Sequence, residues 1–171
     1  KLADGVPRYI ITKEENEFKF TPEELENAIT DKTKALILNS PSNPTGMVYT
    51  ADELRAIADI CVKHNIFVVS DEIYEHLIYE GERVSIASFG EDIKNLTIIV
   101  NGLSKTYAMT GWRIGYTACA PEITKLMSNV QSHATSNPNS IAQYAAIAAL
   151  NGGLDFVDEM KKQYKERRDY M

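Results

Sequence analysis

The sequence predicts an α/β fold with a mostly parallel sheet and helices on both faces. Three observations predict it. Short β-branched runs alternate with longer segments whose apolar residues recur at helical spacing. Two of the helical segments open on capping boxes. Polar residues capable of chemistry stand just after the apolar runs, at the strand exits where open α/β sheets bind ligands.

The elements follow in chain order. Thr21-Pro22-Glu23-Glu24 starts a helix: a capping Thr, Pro at the first helical position, and Glu three residues beyond the cap. Leu25, Ala28 and Ile29 form its apolar stripe. Residues 34–39 (KALILN) then read as a strand. Thr50-Ala51-Asp52-Glu53 is the second capping box, followed by Leu54, Ile57, Ala58, Cys61 and Val62 at helical spacing. His64 ends that helix, where the dipole favours a cation. Residues 66–69 (IFVV) and 96–100 (LTIIV) read as buried strands, and 114–119 as a fourth. Helices follow from Pro121 to about Val130 and from Asn139 to Leu150. A last helix carries Asp155, Asp158 and Glu159 at its front and Lys161, Lys162, Lys165, Arg167 and Arg168 at its back, complementing its dipole.

Composition bounds the function. A chain of 171 residues suits one domain and buries a core without disulfide or metal staples. Its net charge of −6 disfavours nucleic acid as a partner, because such binding depends on neutralising phosphates. The longest nearly apolar stretch, 141–150, is half of what crosses a bilayer, so no membrane partner is expected. Cys61 and Cys119 lie in apolar stretches outside any CxxC pair and read as two buried free thiols of a reducing compartment. No secretory signal opens the chain, so either the protein is cytoplasmic, the expected location, or its start has been removed. The chain begins without Met and ends inside a helical pattern, so it reads as a piece of a longer polypeptide. His64, His76 and His133 show no metal-ligand spacing, and residues 72–76 carry Glu where the HxxEH zinc motif needs its first His. Neither GxGxxG nor GxxxxGK[ST] occurs, which disfavours a nucleotide site.

Three strand exits carry the chemistry. Asn43 follows the first strand in Ser40-Pro41-Ser42-Asn43-Pro44-Thr45-Gly46, Asp71 follows the second in Asp71-Glu72-Ile73-Tyr74, and Lys105 follows the third in Asn101-Gly102-Leu103-Ser104-Lys105. Arg113 comes shortly after. A carboxylate pairs with a protonated ring nitrogen, an amine attacks a carbonyl, a guanidinium grips phosphate, and an amide with a phenol holds a phenolate oxygen. Pyridoxal phosphate presents all four counterparts.

Asn43-Pro44-Thr45-Gly46, the stretch SDEIYEHLIYEG from Ser70 and the stretch NGLSKTYAMTGWRIGY from Asn101 together resemble the class I/II aminotransferases, in order and spacing, across essentially the whole chain. The wording is most similar to the bacterial aspartate aminotransferase branch. The resemblance implies that residues 1–171 are part of the large domain of a fold-type I pyridoxal-phosphate-dependent transferase. An N-terminal cofactor-stacking segment and a C-terminal small domain then lie outside these residues. It implies Lys105 as the lysine that joins the cofactor and shuttles the proton, and Asp71 as the partner of the pyridine nitrogen. Asn43 and Tyr74 become the donors to the phenolic oxygen, and Arg113, with Ser104, the phosphate ligands. Gly102 departs from the pattern, standing where several relatives carry a phosphate-binding serine. The resemblance also implies a cis Asn43–Pro44 bond, Tyr107 and Trp112 packed around the lysine loop, and a homodimer in the full-length protein.

The expected reaction moves an amino group between an amino acid, aspartate or a related dicarboxylic or aromatic one, and a 2-oxo acid. Residues 1–171 alone are expected to turn over poorly or not at all, lacking the substrate-carboxylate arginine of the family. A carbon–sulfur lyase of the same fold and a non-catalytic regulatory domain stay open as alternatives, since fold does not dictate reaction.

Overall fold

A computed structural model describes residues 3–171. Strands β1 (Ala35–Asn39), β2 (Phe67–Asp71), β3 (Thr97–Gly102) and β4 (Gly115–Ala118) form one sheet in sequential order. The first three are parallel, and β4 returns antiparallel to β3. Helices α1 (Pro22–Ala28), α2 (Ala51–His64) and α3 (Glu91–Leu96) fall between the strands, and α4 (Pro121–Ala134), α5 (Ser140–Asn151) and α6 (Asp155–Tyr170) follow them.

Both capping boxes form. The Thr21 hydroxyl accepts from the backbone N–H of Glu24, whose carboxylate accepts from the N–H of Thr21; Thr50 and Glu53 repeat the arrangement. Each cap satisfies two N–H groups that the first helical turn would otherwise leave without partners. α2 ends on Asn65 in the left-handed conformation, with His64 in its last turn.

The core lies between one sheet face and α1–α3. Leu54, Ile57, Ala58 and Cys61 of α2 pack with Leu38, Val68, Leu25, Ile86 and Ile93, all nearly or fully buried. Each large apolar side chain so enclosed stabilises the fold by about 1.5–3 kcal/mol. Strand alternation sends Leu38, Val68 and Ser70 toward α2 and leaves Ile37 76% exposed on the opposite face.

Two expectations change. Strands β2 and β3 run further than their apolar runs. Asp71 pairs with Asn39 and Val100, and Asn101 and Gly102 pair with Tyr116 and Gly115, so backbone pairing carries the strands past their last apolar residue. Of the two cysteines, Cys61 is buried, which pushes its thiol up to about 11. Cys119 is only half-buried, with its Sγ 3.3 Å from Thr124 Oγ1, because it stands just beyond β4, whose residues are all exposed.

Candidate active site

The carboxyl ends of the three parallel strands place the candidate residues at one end of the sheet. Asn39, the last residue of β1, organises the first loop: its Nδ2 donates to the Asp71 carbonyl at 3.1 Å, and its Oδ1 accepts from the Asn43 N–H at 3.1 Å. The loop contains two cis peptide bonds, Asn43–Pro44 as expected and Ser40–Pro41 in addition. It holds Asn43 so that its Nδ2 lies 3.2 Å from the Tyr74 hydroxyl, thirty-one residues along the chain.

Asp71 ends β2, half-buried, on the face opposite Ser70. Its Oδ1 accepts from the Ile73 N–H at 3.2 Å, a local turn that swings the chain toward Tyr74. The Lys105 ammonium lies 5.4 Å from the centroid of the Tyr74 ring. Tyr74 therefore faces Asn43 through its hydroxyl and Lys105 through its ring, with Asp71 joined to them through Asn39 and its own turn. Among the described residues no carboxylate is paired with Lys105 or Arg113.

Arg113 and Ser104 do not touch that group directly. Arg113 sits in the left-handed conformation after a 3-10 turn (Thr110–Trp112), and its Nη1 donates to the Thr110 carbonyl at 2.8 Å. Ser104 is half-buried between Leu103 and Lys105. Tyr107 is half-buried beside the lysine, whereas Trp112 is 46% exposed. A cleft of about 960 Å³ reaches the group from one side, lined by Asn43, Pro44 and Tyr74 and, further out, by Tyr79, Glu80 and Arg168. Lys105, Asp71 and Arg113 do not line it.

The glycine at position 102 has a physical reason. Gly102 and Gly115 face each other across the β3–β4 ladder. A Cβ on Gly102 would meet Gly115 Cα at 3.0 Å, and one on Gly115 would meet the Asn101 carbonyl oxygen at 2.8 Å. A side chain at Gly115 would force the backbone to shift, whereas one at Gly102 would need its neighbours to give by a few tenths of an ångström.

Sequence reasoning missed the polar cluster behind the site. Glu72 is buried, its Oε1 accepting from Ser85 Oγ at 2.7 Å and Ser70 Oγ at 2.9 Å; burial pushes its carboxyl up. Glu75 accepts from Asn101 Nδ2 at 2.6 Å and pairs with Arg83 at 2.7 Å. His76 lies 3.2 Å from Arg83, and burial together with that guanidinium holds its imidazole below the ordinary range. The available signal was a run of acids directly after an apolar strand, where unpartnered charge is costly.

The family model for aminotransferase class I and II matches residues 1–171. The chain is 55% identical over 168 residues to an aspartate aminotransferase of Bacillus subtilis, covering 98% of this chain and 43% of that protein. It is 52% identical to an asparagine–oxo-acid transaminase of Streptococcus mutans, again over 98% of this chain and 43% of the relative. Among solved structures, an aromatic aminotransferase from Pyrococcus horikoshii superposes with a TM-score of 0.94 at 46% identity, covering 99% of this chain and 46% of that one. A Thermus thermophilus aspartate aminotransferase mutant gives 0.93 at 44% identity, over 98% and 46%. The chain thus spans less than half the length of these relatives. Matched from end to end by the family model, and at over half its positions by the Bacillus enzyme, the chain belongs to the class I and II aminotransferases.

Proposed function

We propose that this chain is the lysine-bearing part of the cofactor-binding large domain of a pyridoxal-phosphate-dependent aminotransferase. One observation carries the reading: an amide and a phenol 3.2 Å apart, with an ammonium 5.4 Å from the phenol ring. The donor set fits the cofactor. Asn43 and Tyr74 can both donate to one phenolate oxygen. Among the described residues the hydrogen bond to the Asp71 carboxylate is the one from Ile73 to Oδ1, which leaves Oδ2 for a ring N–H. Among those residues, too, Lys105 and Arg113 carry no acidic partner, as suits groups that meet an aldehyde and a phosphate.

When bound, pyridoxal phosphate supplies an aldehyde that takes up the amino group and a ring that accepts the electron pair left at the substrate α-carbon. The chain's own residues do the rest. Asp71 keeps a proton on the ring nitrogen by offering it a fixed negative charge. Asn43 and Tyr74 would hold the phenolate oxygen. Arg113 would hold the phosphate by charge-assisted hydrogen bonds, with Ser104 as a second donor. Lys105 Nζ, as a free amine, would carry the proton between the substrate α-carbon and the aldehyde carbon of the cofactor.

Aspartate or a related dicarboxylic or aromatic amino acid, with a 2-oxo acid as acceptor, is the proposed substrate pair; it rests on the relatives' substrates. A homodimer in the cytoplasm is the proposed setting. No helix among the described residues is long and apolar enough to cross a membrane.

Borohydride reduction of the full-length protein with pyridoxal phosphate, followed by peptide mass spectrometry, tests the reading. The label should sit on Lys105 and vanish in Lys105→Ala. A label on another lysine, or none, overturns it.

A further inference from the structure

We propose that the hydrogen bond between Asn101 and Glu75 is a clamp that holds the Tyr74 segment against the Lys105 segment and thereby sets the affinity for pyridoxal phosphate. The inference rests on the functional reading above and makes Glu75 and Asn101 positioning residues.

The β2–β3 ladder stops before Tyr74 and Lys105. The parallel ladder between β2 and β3 ends at Asp71 opposite Val100, with one more bond from the Glu72 N–H to the Val100 carbonyl at 2.9 Å. Past that point each segment turns on itself. Glu75 N–H bonds Glu72 O and Leu77 N–H bonds Tyr74 O on one side; Tyr107 N–H bonds Leu103 O and Ala108 N–H bonds Lys105 O on the other. Among the described residues no backbone hydrogen bond crosses between these turns, although one carries Tyr74 and the other Lys105.

The crossing bond is made by side chains. Asn101 is buried at 6% exposure, and its Nδ2 donates to Glu75 Oε1 at 2.6 Å. Its Oδ1 accepts from the Gly102 N–H at 2.7 Å, which locks the amide so that its nitrogen faces Glu75. On the other side, Arg83 takes Glu75 Oε2 at 2.7 Å and fixes the carboxylate plane. Both ends of the clamp are therefore held by a second bond before they meet. Glu75 adjoins Tyr74, and Asn101 lies four residues before Lys105. A slip at the clamp moves the phenol relative to the amine, and a cofactor that bridges the two could then reach only one of them in good geometry.

The test is a pyridoxal phosphate titration of the full-length protein, read by absorbance, beside the Tm of each apo variant. Glu75→Ala and Asn101→Ala should each raise the Kd about tenfold or more, as befits the removal of a hydrogen bond to a charged group. The double variant should be no worse than either single, because the two act as one unit. Glu75→Gln keeps an acceptor for Asn101 and should stay within about threefold of wild type.

The size-matched pair supplies a check where the alanine variants do not fold. Asn101→Asp alone sets two carboxylates against each other and should weaken binding. Adding Glu75→Gln should restore it, since the introduced amide then donates to the introduced carboxylate. Folded variants with lowered Tm but wild-type Kd would show a prop for the fold only and overturn the clamp, as would additive losses or a swap that does not rescue. If the wild-type chain itself fails to bind the cofactor, the functional reading falls and takes the clamp with it.

Discussion

Replacing Gly115 by alanine would place a methyl carbon 2.8 Å from the Asn101 carbonyl oxygen, where ordinary van der Waals distances begin at 3.4 Å. The carbonyl is backbone and the Cβ is fixed to the backbone, so neither can swing aside, and β3 and β4 must part by roughly 0.6 Å. Overpacking of this kind costs about 1–3 kcal/mol. In a chain of this length that lowers Tm by about 2–12 °C, at about 2–4 °C per kcal/mol. The displacement also reaches the site, because Arg113 precedes Gly115 by two residues and Lys105 follows Asn101 by four. If Arg113 holds the cofactor phosphate as proposed, that displacement should raise the pyridoxal phosphate Kd by about tenfold or more. Calorimetry and an absorbance titration measure the two effects. Gly111→Ala is the control: a Cβ there meets nothing within 4 Å, so Tm should barely move. A Gly115→Ala variant that melts and binds cofactor like wild type would refute the claim that strand proximity sets the site.

Three further outcomes are expected. Burial raises the Glu72 carboxyl above its ordinary 4.5, so its contribution to stability is largest below that value and is lost as pH rises through the folded value. Glu72→Gln, which keeps an oxygen for Ser70 and Ser85, should therefore gain stability over wild type at neutral pH, with the gain closing in acid, as urea unfolding across pH would measure. Glu26 has the opposite sign: its hydrogen bonds from Lys63 and His64 lower its carboxyl below 4.5, so its contribution is present above that value and is lost as pH falls through the folded one. Glu26→Gln should lose stability at neutral pH and converge on wild type in acid, in the same urea series. Tyr74→Phe removes the hydroxyl that meets Asn43 and should weaken cofactor binding about two- to tenfold with little change in apo Tm, read by the same titration.

Much of this molecule is written in local sequence. Both capping boxes form where Thr21 and Thr50 announce them, and the apolar spacing of α2 is the face that packs on Leu38 and Val68. The four strands, their order along the chain and the motifs that mark the aminotransferase family are legible without any knowledge of the packing. Each of these depends on residues a few positions apart, where propensity, capping and periodicity act.

Tertiary structure alone decided the rest. The antiparallel return of β4, the 3.2 Å approach of Asn43 to Tyr74 and the bond from Asn101 to Glu75 join residues far apart in the chain. The same holds for the close approach of Gly102 and Gly115 across the β3–β4 ladder. Such pairings depend on strand register and loop closure, and these emerge only when the whole sheet packs on its helices.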